Sequence, residues 1–184
     1  MSVVAPAGMR RVAVVGASGS GKTTFSAALA ARLGCAHVEL DALHWEANWR
    51  MAELPVFRDR VAAATAGEAW VCDGSYSKVR DLVWARADTL VWLDYRRSLV
   101  LWRLIRRTVR RLLTREELWA GNRERLRDHL GKENLVLFSY HQHARNRRAY
   151  PAALAEPAYA HLRLVRLSSP GEAARWLARV GRLG

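Results

Sequence analysis

Lysine is nearly missing from this sequence of 184 residues, standing only at positions 22, 78 and 132. Acidic residues are also scarce, 17 Asp and Glu against 30 Lys and Arg, so the formal charge of +13 is carried almost wholly by Arg. Only two cysteines are present, Cys35 and Cys72, which excludes a disulfide framework and offers no metal-ligand spacing. Each follows or sits in an apolar stretch and reads as a small buried residue. No run approaches the roughly 20 apolar residues of a membrane span. Residues 1–10 lack the apolar core of a secretory signal, and Met9 is an alternative start. The expectation is a soluble cytoplasmic protein, monomer or homodimer, with no membrane partner.

Half of the chain is hydrophobic (51%) and a quarter charged (26%), a globular composition that fits one domain over 1–184. The Arg excess admits three readings. Arg presents a flat fork of donors that grips phosphate at two points, so it suits a nucleotide site. It equally suits a nucleic-acid surface, although no nucleic-acid-binding motif accompanies it. A genome that favours Arg codons gives the same excess.

Short apolar runs alternate with longer helical ones. Arg11–Val15, His37–Leu40, Trp70–Cys72, Thr89–Leu93 and His161–Leu167 read as strands, three of which end at Asp41, Asp73 and Asp94. Between them, Thr23–Leu33, Glu53–Ala66, a helix capped by Ser98 and running to about Leu113, Arg115–Leu130, Ser139–Leu154 and Glu172–Val180 read as helices. This alternation predicts an α/β fold: a parallel sheet covered on both faces, with its ligand beyond the carboxyl ends of the strands.

Gly16-Ala17-Ser18-Gly19-Ser20-Gly21-Lys22-Thr23 matches G-x-x-x-x-G-K-[ST] in full, with a strand before it and a helix after it. Glycines let successive N–H groups turn inward onto phosphate oxygens, and the helix start adds its positive end. The pattern predicts ATP binding, GTP not excluded, by residues 16–23 and Thr24. Lys22 reaches the β- and γ-phosphates and the Thr23 hydroxyl ligates Mg²⁺. Asp73, after Trp-Val-Cys, is placed beside that Mg²⁺. Asp41 orients or deprotonates an acceptor hydroxyl, or holds the metal through water. His44, Trp45, Trp49 and Tyr76 follow strand ends and suit the walls of an acceptor pocket. Asp94, followed by Tyr95-Arg96-Arg97, reads as a turn cap or a local ion-pair partner, outside the site. His141 and His143 have no third ligand near and read as exposed.

Four blocks in order resemble the adenylate-kinase-related P-loop proteins labelled DNA topology modulation proteins: the P-loop, Glu39–Trp49, Trp70–Ser77 and Ala87–Asp94. The resemblance implies the three-layer fold of nucleoside monophosphate kinases and shikimate kinase. Its five-stranded parallel sheet runs in the order 2-3-1-4-5, with helices on both faces and a helical lid. It also implies that Asp73-Gly74 takes the Asp-Gly position of the third strand. Ser75-Tyr76-Ser77-Lys78 then departs from the Phe-Pro-Arg of adenylate kinases, and the AMP-binding Thr-Gly-Asp block is replaced by Asp41–Trp45. The donor half of the site thus carries over and the AMP half does not.

Arg103, Arg107, Arg110 and Arg111 share one face of the long helix at 3.6 residues per turn. The resemblance makes Arg103 and Arg107 clamps on the transferring phosphoryl group. Residues 114–148 are the expected lid, hinged near Gly121 and Gly131, with Arg145 and Arg148 three apart and aimed together at the phosphates. The implied activity is a small phosphotransferase acting from Mg·ATP on a small-molecule or nucleotide acceptor. The alternative is a P-loop NTPase that uses its Arg surface on nucleic acid.

Overall fold

The computed structural model describes residues 8–123 and 135–181. Five strands, β1 (Arg11–Gly16), β2 (Ala36–Glu39), β3 (Trp70–Asp73), β4 (Thr89–Leu93) and β5 (Arg163–Leu167), form one sheet in the order β2-β3-β1-β4-β5. Every pairing is parallel. The predicted order is therefore observed. Near-continuous apolar runs such as Val12–Val15 and Leu90–Leu93 are what a sheet buried on both faces requires.

Alternation along β1 divides the core. Val12 and Val14 face the layer that holds Phe25 and Leu29 of α1 (Lys22–Leu33). Trp176 of the closing helix, Pro170–Arg179, packs there too. Ala13 and Val15 face Phe57 and Val61 of a helix at Leu54–Ala64, Trp84 of Arg80–Arg86, and Tyr150 of Leu135–Leu154. In chain order these helices are α3, α4, α7 for Pro170–Arg179 and α6 for Leu135–Leu154, with α2 at Leu40–His44 and α5 at Arg97–Thr114.

Several local expectations change. The long helix begins at Arg97 with no side-chain cap, so Ser98 lies inside it. Asp41 lies not at a bare strand end but inside α2, a five-residue helix. The Arg115–Leu130 helix does not form over its described part. Arg115 (φ 51°) and Ala120 (φ 54°) adopt left-handed backbone, Trp119–Gly121 is a single 3₁₀ turn, and 124–130 lie outside the described residues. Cys72 is buried as expected, whereas Cys35 is half-exposed.

Asp94 is the ion-pair partner the sequence suggested, although its partners are distant in sequence. Its carboxylate, 5% exposed, accepts from Arg147 Nε at 2.8 Å and from the Arg166 guanidinium. Burial pushes its pKa up, but the two guanidinium groups outweigh that and hold it below the usual carboxylate range. Asp94→Ala is expected to cost about 1–3 kcal/mol, less than a fully buried pair because both Arg are half-exposed. A depressed carboxylate stabilises above its unfolded pKa, and the effect is lost as pH falls through the folded one. The gap between wild type and variant in thermal melts should thus close in acid and persist at neutral pH.

Candidate active site

At the carboxyl end of β1 the chain turns through the glycine loop into α1. Gly21 caps that helix in left-handed backbone (φ 87°) and so delivers Lys22 and Thr23 to its first turn. Gly19 (φ 88°) lies so close to α5 that an added Cβ would sit 2.5 Å from the Val100 carbonyl oxygen. The loop is held from beneath by Ser75, which accepts from the Gly16 N–H (3.4 Å) and donates to the Gly16 carbonyl (3.1 Å). Tyr150 OH donates to Ser75 Oγ at 3.0 Å. From the side, α6 grips Ser18: Ser139 Oγ donates to its carbonyl (2.9 Å) and its N–H donates to Gln142 Oε1 (3.2 Å).

The side chains assigned to phosphate and metal converge here. Lys22 Nζ donates to the Ala17 carbonyl at 3.3 Å, inside the loop. Burial lowers its pKa, with Asp41 and Asp73 opposing and Arg107 adding to the shift, so this ammonium senses both carboxylates and one Arg. Thr23 Oγ1 donates to Asp73 Oδ1 at 3.4 Å. Asp73 is 2% exposed, and its other oxygen accepts from His37 Nε2 at 2.7 Å. That hydrogen bond raises the His37 pKa against the opposing effect of its burial. Arg103 stands over the loop, its Nη1 3.6 Å from where a Gly21 Cβ would lie. Ala17 and Ser20 are buried, and the Ser20 hydroxyl has no protein partner. Thr24 is exposed on the first turn of α1.

These residues fit Mg·ATP. A glycine cradle without Cβ atoms, a Lys inside it, an orphaned Ser20 hydroxyl and a Thr–carboxylate pair at its rim are the donor set such a ligand requires. Among the described residues no three His, Cys, Asp or Glu gather as a metal cage. Mg²⁺ would be shared between Thr23, Asp73 and phosphate oxygens.

Among the residues expected to wall an acceptor pocket, Tyr76 OH donates to Asp41 Oδ1 at 2.6 Å. Burial and the neighbouring Asp41 push the Tyr76 phenol pKa up. His44 contacts Tyr76, Phe57 and Trp45, with ring centroids 4.6, 4.8 and 5.0 Å away, and Trp45 meets Trp49 edge-on at 5.5 Å. Burial lowers the His44 pKa, which favours the neutral ring. Trp45–Glu46 and Arg50–Met51 pair as a tight hairpin whose turn places Asn48 and Trp49 at positive φ.

The segment after α5 closes onto that hairpin. Asn122, 5% exposed, accepts from the Trp49 N–H (2.9 Å) and donates to the Glu46 carbonyl (2.8 Å). Trp119 Nε1 donates to Glu39 Oε2 at 2.6 Å. Residues 119–122 are therefore docked on the 45–51 hairpin and Glu39. Asn122→Ala should loosen this clasp and lower stability by about 1 kcal/mol, because it leaves two half-buried backbone groups without their side-chain partner, as a denaturant midpoint would show.

Not every candidate joins the site. Arg110 is turned outward and pairs with Glu116, because the buried face of α5 is centred on Val100, Leu104 and Thr108. Arg145 and Arg148 are exposed and line a surface hollow with His141. Arg145 follows Gln142 by three residues and acts electrostatically on the Tyr150 phenol, whereas Arg148 faces away from Ser139 and Tyr150. His143 is buried, not exposed, and its Nε2 donates to the Tyr95 carbonyl at 2.8 Å. Gly131 lies outside the described residues.

The AAA domain family model matches residues 12–175, which spans the sheet, the loop and both halves of this site. The chain belongs to the AAA domain family. This AAA domain is similar in structure to shikimate kinase from Acinetobacter baumannii in complex with shikimate, at TM-score 0.53 and 18% identity over 94% of this chain and 90% of that one. A shikimate kinase from Bacteroides thetaiotaomicron aligns at TM-score 0.51 and 17% identity over 93% and 96%. A gluconokinase from Sinorhizobium meliloti 1021 aligns at 0.49 and 19% over 92% of each chain. No curated protein matches the sequence. The shikimate kinases establish for this AAA domain a P-loop kinase-like fold. Among its described residues no helix is long and apolar enough to cross a membrane.

Proposed function

We propose that this protein is a small-molecule kinase that transfers a phosphoryl group from Mg·ATP to a hydroxyl of a small acceptor. The observation that carries the reading is the Thr23–Asp73 pair at the rim of the loop that holds Lys22, with Asp41, Asp73 and Arg107 all acting on the Lys22 ammonium. Mg·ATP, when bound, supplies the transferable group. Lys22, Arg103 and Arg107 neutralise the charge on the phosphoryl oxygens, which is the main demand of this chemistry. Thr23 and Asp73 hold the metal, and His37 orients the Asp73 carboxylate. Asp41, fixed by the Tyr76 hydroxyl, orients the acceptor hydroxyl beside an aromatic wall of His44, Trp45 and Trp49. Within the family we place the chain with the adenylate-kinase-related proteins labelled DNA topology modulation proteins, on the four sequence blocks alone. Cytoplasmic location and one domain over 1–184 belong to the same reading.

Incubation of the protein with Mg·ATP and hydroxylated acceptors should give an acceptor heavier by one phosphoryl group, detected by mass spectrometry. Arg107→Ala should lower kcat by about 10²–10³-fold with a smaller change in the KM for ATP, the signature of a group that acts mainly in the transition state. An equal change in both, or none, would remove Arg107 from this role.

A further inference from the structure

The outer face of α5 takes no part in the site. Successive residues on a helix are turned by about 100°, which sets Trp102, Ile105, Val109 and Leu113 on one stripe, directly opposite the buried Val100, Leu104 and Thr108. They are 56%, 48%, 50% and 80% exposed, four of the nine large apolar side chains most open to solvent among the described residues. Arg106 and Arg110 run along one border of the stripe; Arg106 lies 5.4 Å over the Trp102 ring, and Arg110 is paired with Glu116. The 18 residues of α5 contain six Arg and no acidic residue, in a chain of net charge +13.

From this face we infer that α5 docks the protein on an anionic lipid surface, lying in the plane of the headgroups. The occupant follows from two complementarities. Arg106, the six Arg of α5 and the net charge favour an anionic partner. The stripe requires an apolar one, since Ile105, Val109 and Leu113 gain nothing against phosphate backbone or solvent. A lipid surface with acidic headgroups offers both at once, with Trp102 suited to the boundary between them. A second copy of the chain would set Arg106 against its own like charge. A polynucleotide would leave the aliphatic stripe in water. The inference does not depend on the kinase reading, because no side chain of the stripe reaches the phosphate loop.

Co-sedimentation of the full chain with vesicles tests it, using phosphatidylcholine alone or with roughly 30% phosphatidylserine, a composition with a strongly negative surface. The expected result is at least about tenfold stronger partitioning onto the anionic vesicles, with a blue shift of Trp emission. The double variant Ile105→Glu/Val109→Glu should lose about tenfold or more of that partitioning while keeping the thermal midpoint and any ATP turnover of the wild type. Arg106→Gln should weaken it several-fold without touching the apolar stripe. Equal partitioning onto both vesicles would overturn the inference. So would a wild-type dimer that the double variant dissociates, or binding to single-stranded DNA in place of vesicles. Retention of full vesicle binding by the double variant would overturn it as well.

Discussion

Lys22→Ala is expected to lower turnover of ATP by about 10³-fold and to leave the thermal midpoint unchanged. Two features separate function from stability here. Lys22 occupies the first position of α1, where Ala is at least as good a helix former, so the local backbone loses nothing. Its ammonium donates to the Ala17 carbonyl, and burial disfavours its charge while Asp41 and Asp73 favour it. The folded chain therefore holds an ammonium that burial opposes and two carboxylates favour, and a bound phosphate would add to the favourable side. Single-turnover kinetics together with a melting curve check both halves. A variant that melts well below the wild type would show Lys22 to be structural.

Gly19→Ala is expected to act the opposite way, on fold and binding together. Left-handed backbone costs a non-glycine residue about 1–2 kcal/mol. The added Cβ would also meet the Val100 carbonyl oxygen at 2.5 Å and Leu104 Cβ at 3.1 Å, in backbone and core that cannot give way cheaply. A total of about 3 kcal/mol corresponds to roughly 6–12 °C in the melting midpoint of a chain of this size. Because relief comes only by moving the loop off α5, the affinity for ATP should fall with it. Calorimetry and ATP titration on the same sample measure the pair. Unchanged affinity beside a lowered midpoint would mean that the loop does not hold the nucleotide.

The features legible in the sequence were those written in local pattern. The loop, its flanking strand and helix, and the carboxylate at the end of Trp70-Val-Cys-Asp73 each sit within a few residues of their own signal. The features that were not legible depend on which elements become neighbours. His37 reads as an ordinary strand residue, and only the pairing of β2 with β3 brings its ring to Asp73. Asn122 and Trp119 lie in a run of helix formers, but their hydrogen bonds to the 45–51 hairpin and Glu39 outweigh propensity and hold the chain in a single tight turn. His143 and the outward turn of Arg110 show the same limit. A helical period fixes which residues share a face, not which way that face points.

The measurement that bears most directly on the central claim is nucleoside-diphosphate release from Mg·ATP across a panel of acceptors. The panel holds nucleoside monophosphates, nucleosides, sugars, sugar acids and single- and double-stranded DNA, with Lys22→Ala as the blank. The account predicts release stimulated at least about tenfold by one small hydroxylated acceptor and absent from the blank. Stimulation by polynucleotide alone, or release unchanged by Lys22→Ala, would contradict it.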